Sequence, residues 1–186
     1  MPGSTIREVA PAGADLASYR RIGLVSFSVS ADRGGLDELA TQRFCDELLH
    51  SGLNLDVVEL GSLARVLSLV GRARLDEHAV ERIATRWNVA ALLLGQLTCT
   101  SPRWEPIDLR YGHGPRTIAV TLSVRVLDTA QRKLLWSRSL RREEPLRRSD
   151  GPTPVAPGED ASEALAGELL HELCAELGRA QLAASA

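Results

Sequence analysis

A chain of 186 residues, 44% hydrophobic and 25% charged, has the size and balance of one well-buried domain rather than two. Its net charge of -2 argues against nonspecific nucleic-acid binding, and no apolar run approaches a membrane span. Three cysteines far apart, Cys45, Cys99 and Cys174, form neither a disulfide framework nor a CxxC zinc site.

Residues 1–20 are small and polar with Pro and Gly, which predicts a flexible lead-in to a single domain over residues 21–186. They hold no hydrophobic export-signal core, so either the protein is cytoplasmic or this chain starts after a removed signal. Arg21 to Ser28 then carries Ile22, Leu24, Val25 and Phe27, a short run fit for a buried strand. A loop through Gly34-Gly35 leads to Leu36, Leu39, Ala40, Phe44, Leu48 and Leu49 at helical spacing, with Ser51-Gly52 as the stop.

Leu55 to Leu60 reads as a second strand. Ser62 caps a short helix that Gly71 ends, and Asp76 caps another with Val80, Ile83, Ala84 and Trp87 along one face. Val89 to Leu97 is almost unbroken apolar sequence, which predicts a central strand covered on both faces. Thr100 to Arg116 reads as a long irregular loop.

Thr117 to Arg142 is the strongest pattern. Ile118, Val120, Leu122, Val124 and Val126 alternate with Thr117, Ala119, Thr121, Ser123 and Arg125, which is the period of a half-buried strand. Asp128 and Thr129 open a polar turn, and Leu134, Trp136, Arg138 and Leu140 begin the returning strand of a hairpin. The polar face of the first strand is expected to be solvated. A proline-rich connection follows. Asp160 or Ser162 then caps a closing helix with Leu165, Leu169, Leu173 and Leu177 in register. The order β-α-β-α-α-β-β-β-α predicts an α/β (α+β) fold, a mixed sheet of about five strands with helices packed on it.

Chemistry-bearing patterns are scarce. The dinucleotide glycine fingerprint, the P-loop and the Gly-x-Ser-x-Gly elbow do not occur. His171-Glu172 begins like a zinc-protease helix, but Ala175 stands where the second histidine belongs. His50, His78 and His113 have no ligand spacing either, and neighbouring carboxylates such as Asp46-Glu47 and Glu143-Glu144 point apart on regular elements. The expectation is no enzyme, no cofactor and no metal. The rival reading is a small-ligand or enzymatic domain using the strand–helix turn Ser28 to Gly35, where open α/β sheets place ligands.

The loop Ser101 to Pro115 is the candidate contact surface for a protein partner or a second copy. Trp104 and Tyr111 are the anchors and Arg103 and Arg110 the polar rim, since interface energy concentrates in aromatic and arginine side chains. The alternative is that the loop covers its own core.

Several local patterns resemble the curli-secretion-channel (CsgG-like) family, which includes the LpoB-like lipoprotein activators of penicillin-binding proteins and has the TolB N-terminal domain as a fold relative. Ile22-Gly23-Leu24-Val25-Ser26-Phe27 is similar to the family's opening strand, "IAVLPF". Trp87 to Leu97 is similar to its "A-x-x-x-G-A-D-x-L-L-x-G-x-I" segment, with Asn88-Val89-Ala90 in place of Gly-Ala-Asp. Val124 to Asp128, Thr129 and Leu134-Leu135-Trp136-Ser137 resemble its "V-x-L-V-D-x-x-T-G-x-V-L-W-S" hairpin, with Gln131-Arg132 in place of the glycine. The resemblance covers about residues 20–182. It implies a TolB N-terminal-like fold and a noncatalytic protein of the periplasm or outer membrane. Such a protein acts in assembly, secretion or enzyme activation, and meets the membrane only through a lipid anchor that this chain does not contain. No second hydrophobic hairpin set is present for a membrane barrel, which favours a soluble periplasmic member over a pore. A cytoplasmic adaptor of the same fold is the remaining alternative.

Overall fold

β1 (Arg21–Ser30) lies inside the sheet because its Ile22, Leu24, Val25 and Phe27 are all buried, on both faces of one strand. The computed structural model describes residues 18–30, 35–50, 55–100, 116–146 and 159–184. Among these, α1 (Leu36–His50), β2 (Asp56–Gly61), α2 (Leu63–Leu69), α3 (Glu77–Trp87) and β3 (Ala91–Thr100) follow β1. The hairpin β4 (Arg116–Asp128) and β5 (Lys133–Leu146) and then α4 (Glu159–Ala184) complete the order. The strands form one sheet in the order β2-β1-β3-β4-β5. β1 runs parallel to β2 and β3, and β3, β4 and β5 are antiparallel. The mixed α/β sheet expected from the sequence is the one observed.

The sheet separates two cores. On one face Ile22, Leu24, Phe27, Leu93, Leu97 and the β4 series from Ile118 to Val126 pack against Phe44 and Leu48 of α1 and Leu165, Leu169 and Leu173 of α4. On the other, Val25, Leu60 and Leu92 pack against Val66 of α2, Val70 at its C-cap, and Val80 and Ile83 of α3. Each fully buried aliphatic side chain contributes roughly 1.5–3 kcal/mol relative to exposure, so the leucines at every fourth position of α4 fix that helix on the sheet.

Two caps sit where the sequence puts them. Ser62 accepts the Arg65 N–H and Asp76 accepts the Ala79 N–H. The cap predicted for α4 does not: Asp160 and Ser162 lie within the helix, and Ser162 is buried. Leu49, predicted on the apolar stripe of α1, is 66% exposed, because the stripe has rotated past it one residue after Leu48. Leu134 is likewise exposed. The β4–β5 register shifts between Val126 and Leu127, and that irregularity puts Leu134 and Trp136 out of step. Ser51 and Gly52 lie outside the described residues.

β1 bulges opposite β3 between Val25 and Ser28. The Phe27 N–H donates instead to Thr41 Oγ1 of α1 at 2.9 Å. The bulge places the Phe27 ring over Gly95, where an added Cβ would come within 2.2 Å of it, and edge-on to Phe44 at 5.3 Å.

Candidate functional site

The Asp128-Thr129 pair, which carries much of the sequence resemblance, is buried rather than displayed. Asp128 Oδ1 accepts the Gln131 N–H at 2.7 Å, closing the hairpin turn, and Asp128 Oδ2 accepts the Tyr19 hydroxyl at 2.8 Å. Burial pushes this carboxyl up. The bonds from the Gln131 N–H, the Tyr19 hydroxyl and the Ala130 N–H outweigh that and hold it below its usual value. Thr129 Oγ1 lies 3.0 Å from Val89 O and 2.8 Å from Ala90 O, so its hydroxyl bonds the start of β3. The polar turn read from the sequence is an internal clasp, because its polar groups are satisfied by backbone and by Tyr19. Tyr19, placed in the lead-in from sequence, packs against the main core.

An exposed polar surface lies farther along the same sheet. α2 and α3 cover only part of their face. β3 is buried at Ala91, Leu92 and Leu93, but Gln96, Thr98 and Thr100 are exposed. This corrects the expectation of a strand covered on both faces through Leu97: the apolar run is covered only as far as the second helical layer reaches. Beyond it, Ser28 and Ser30 of β1, Gln96 and Thr98 of β3, Ser123 and Arg125 of β4 and Ser139 and Arg141 of β5 form an open face. Arg125 is exposed as the sequence implies, whereas Thr121 and Ser123 are half-buried.

The hydroxyls of this face are pre-positioned. Ser30 Oγ lies 3.0 Å from Thr98 Oγ1 and Ser123 Oγ lies 3.0 Å from Ser139 Oγ. Arg141 is held by Glu143, its Nε donating to Oε1 at 3.0 Å. Small hydroxyl side chains on a flat sheet lose little entropy on contact, and an arginine supplies directional donors. The sequence signal for the β3 part was the alternation Gln96, Thr98, Thr100 that ends its apolar run.

The predicted contact residues Trp104, Tyr111, Arg103 and Arg110 lie outside the described residues. The ends that flank them are described: Thr100 pairs with Ala119 at one end of the sheet, and Arg116 pairs with Leu146 just beyond. Residues 31–34 of the Ser28 to Gly35 turn also lie outside. Within its described part, Ser28 and Ser30 donate to Gly95 O and Leu97 O of the neighbouring strand, and Gly35 O accepts the Leu39 N–H at the start of α1.

Titratable groups are dispersed. His171 Nδ1 lies 3.2 Å from Glu47, His50 Nδ1 lies 2.6 Å from Asp46 O, and His78 faces Glu81 at 3.9 Å. Among the described residues no group of three metal-ligating side chains converges. The three cysteines are free thiols. Burial first, and then Glu59, push the Cys45 thiol up to about 12. Burial and Glu47 do the same to Cys174, so neither is a ready nucleophile. No described helix is long and apolar enough to cross a membrane.

No family model and no curated protein matches the chain. Solved structures do. The PelC dodecamer chain from Paraburkholderia phytofirmans is 16% identical, with a TM-score of 0.54 over 90% of this chain and 94% of that one. A DUF330-family protein from Xanthomonas campestris is 12% identical, with a TM-score of 0.50 over 100% of this chain and 95% of its own. The LpoB C-terminal domain from Escherichia coli also matches, at 14% identity and a TM-score of 0.45 over 69% of this chain and 87% of that domain. The first two likenesses, at 16% and 12% identity, are likenesses of fold alone.

Proposed function

We propose that this chain is a noncatalytic cell-envelope protein of the periplasm or outer membrane. It assists assembly, secretion or enzyme activation through protein–protein contacts, self-association among them, and any membrane attachment is through a lipid anchor outside residues 1–186. The observation that carries this reading is the half-covered sheet. One face is sealed by α1 and α4, while the other ends in an open, hydroxyl-rich surface centred on Thr98, Ser123 and Arg125. A protein that works by contact needs such a rigid, solvated platform, and a sheet provides one without ordering cost.

Two further points support it. The residues that carry the family resemblance, Asp128 and Thr129, are used up in holding the fold. The PelC chain that shares the fold is a dodecamer. Trp104 and Tyr111 are proposed as aromatic anchors beside the platform, since their segment leaves it at Thr100 and returns at Arg116.

Sedimentation velocity of the chain over a micromolar range tests self-association. The expected result is species larger than one chain, weakened about tenfold or more by Arg125→Glu without change in melting temperature. A monomer at every concentration removes self-association from the proposal. Recovery of the tagged product of the complete gene in the cytoplasmic fraction overturns the envelope assignment.

A further inference from the structure

We infer that the groove along α3 beside the α2–α3 turn is a binding site for a phosphate group. The groove holds about 660 Å³ and is lined by Arg72, His78, Glu81, Arg82, Thr85 and Arg86. His78, Arg82 and Arg86 recur every four residues, so α3 presents them on one face, and Arg72 of the turn completes the lining. Three guanidinium groups against one carboxylate make the lining positive on a chain whose net charge is -2.

A solvated arginine stripe is common on helices. Here each guanidinium is held by a different neighbour. α2 ends with Gly71 at φ 68, and the Arg72 N–H closes the helix on Leu67 O at 2.9 Å. The C-cap carbonyl, Val70 O, accepts Arg82 Nη1 at 2.9 Å. The Arg72 side chain is paired with Asp76, the residue that caps α3. Arg86 lies over the Trp87 ring at 5.3 Å. A guanidinium has five N–H donors, and these contacts leave most of them over.

The opposing charges are already met. Glu81, the carboxylate in the lining, faces Arg132 at 3.3 Å and His78 at 3.9 Å, and Asp76 is paired with Arg72. Among the described residues, Arg82 and Arg86 carry no acidic partner. Planar guanidinium forks match phosphate oxygens in pairs, and donors already ordered lower the entropy lost on binding. A phosphate offers three acceptor oxygens to groups arriving from the helix and from the turn, where a lone carboxylate offers two. The phosphate belongs either to a soluble compound or to a lipid headgroup.

The test is an NMR titration of the labelled chain with sodium tripolyphosphate at low salt. Vesicles of phosphatidylcholine with and without phosphatidylglycerol then serve in co-sedimentation. Shifts are expected to concentrate on residues 72–86, and Arg82→Gln with Arg86→Gln should weaken binding about tenfold or more. Among the described residues the Arg86 side chain makes no hydrogen bond, so a several-fold loss in Arg86→Gln alone keeps the test valid if the double variant fails to fold. Binding to phosphatidylglycerol vesicles that these variants lose assigns the phosphate to a lipid. Tripolyphosphate binding without vesicle binding assigns it to a soluble compound. Shifts scattered over the surface, equal shifts from sodium chloride at matched ionic strength, or unchanged affinity in Arg86→Gln would overturn the site.

Discussion

Tyr19 and Asp128 stand 109 positions apart, and the hydroxyl of the first donates to a carboxylate oxygen of the second at 2.8 Å. The same carboxylate holds the β4–β5 turn through Gln131, and its neighbour Thr129 bonds the entry to β3. Three distant segments are thus tied at one buried point. That junction gives the aspartate–threonine pair a structural role.

Asp128→Asn is expected to destabilise the protein by about 1–3 kcal/mol, since the amide keeps the shape but not the charge that two or three donors face. The folded carboxyl titrates below its unfolded value, so its stabilising contribution is present above the ordinary carboxylate range and is lost as pH falls through the folded pKa. Thermal melts from neutral pH down to about pH 3 should therefore show a steeper acid loss in the parent chain than in Asp128→Asn. Parallel curves would remove Asp128 from the clasp.

Thr129→Val keeps the volume and deletes the hydroxyl that bonds Val89 O and Ala90 O. A loss of about 1–2 kcal/mol in denaturant midpoints is expected, and hydrogen exchange at the start of β3 should accelerate. Thr129→Ser should recover most of the loss.

Gly95→Ala drives a methyl group into the Phe27 ring, which stands 2.2 Å from the added atom. The expected cost is about 1–3 kcal/mol. Combining it with Phe27→Leu should cost less than the sum of the two single changes, because the shorter side chain vacates that space. Strict additivity in the double-mutant cycle would contradict the packing described.

Asn88 and Arg132 are the non-glycine residues with positive φ among the described residues, at 52° and 56°. Both occupy places where the resembling family has glycine. At position 132, Gly should be more stable than Ala by about 1 kcal/mol, since both lack the guanidinium and only the backbone preference differs. Equal melting temperatures for Arg132→Gly and Arg132→Ala would show that the turn relaxes.

Trp104→Ala and Tyr111→Ala distinguish a contact site from a cover over the core. As interface anchors they should weaken association about tenfold or more and leave the melting temperature nearly unchanged. A large fall in stability with unchanged association per folded molecule would sink the assignment.

The order of elements, the inward face of the hairpin and the α4 leucines were legible in the sequence because each depends on a period that one segment carries alone. The Ser62 and Asp76 caps were legible for the same reason: a cap bonds a backbone group three residues away. Tertiary structure decided what those periods cannot express. Gln96 and Thr98 are open because α2 and α3 cover only part of their face, a matter of where two other elements lie. Asp128 is buried because Tyr19 reaches it from the far end of the chain. Arg82 reaches Val70 O, and Arg72 and Arg82 line one groove, because a left-handed Gly71 ends α2 beside α3. Local pattern sets which face of a segment is apolar; which faces are then covered, and which polar groups meet, is set by contacts between segments that no single period records.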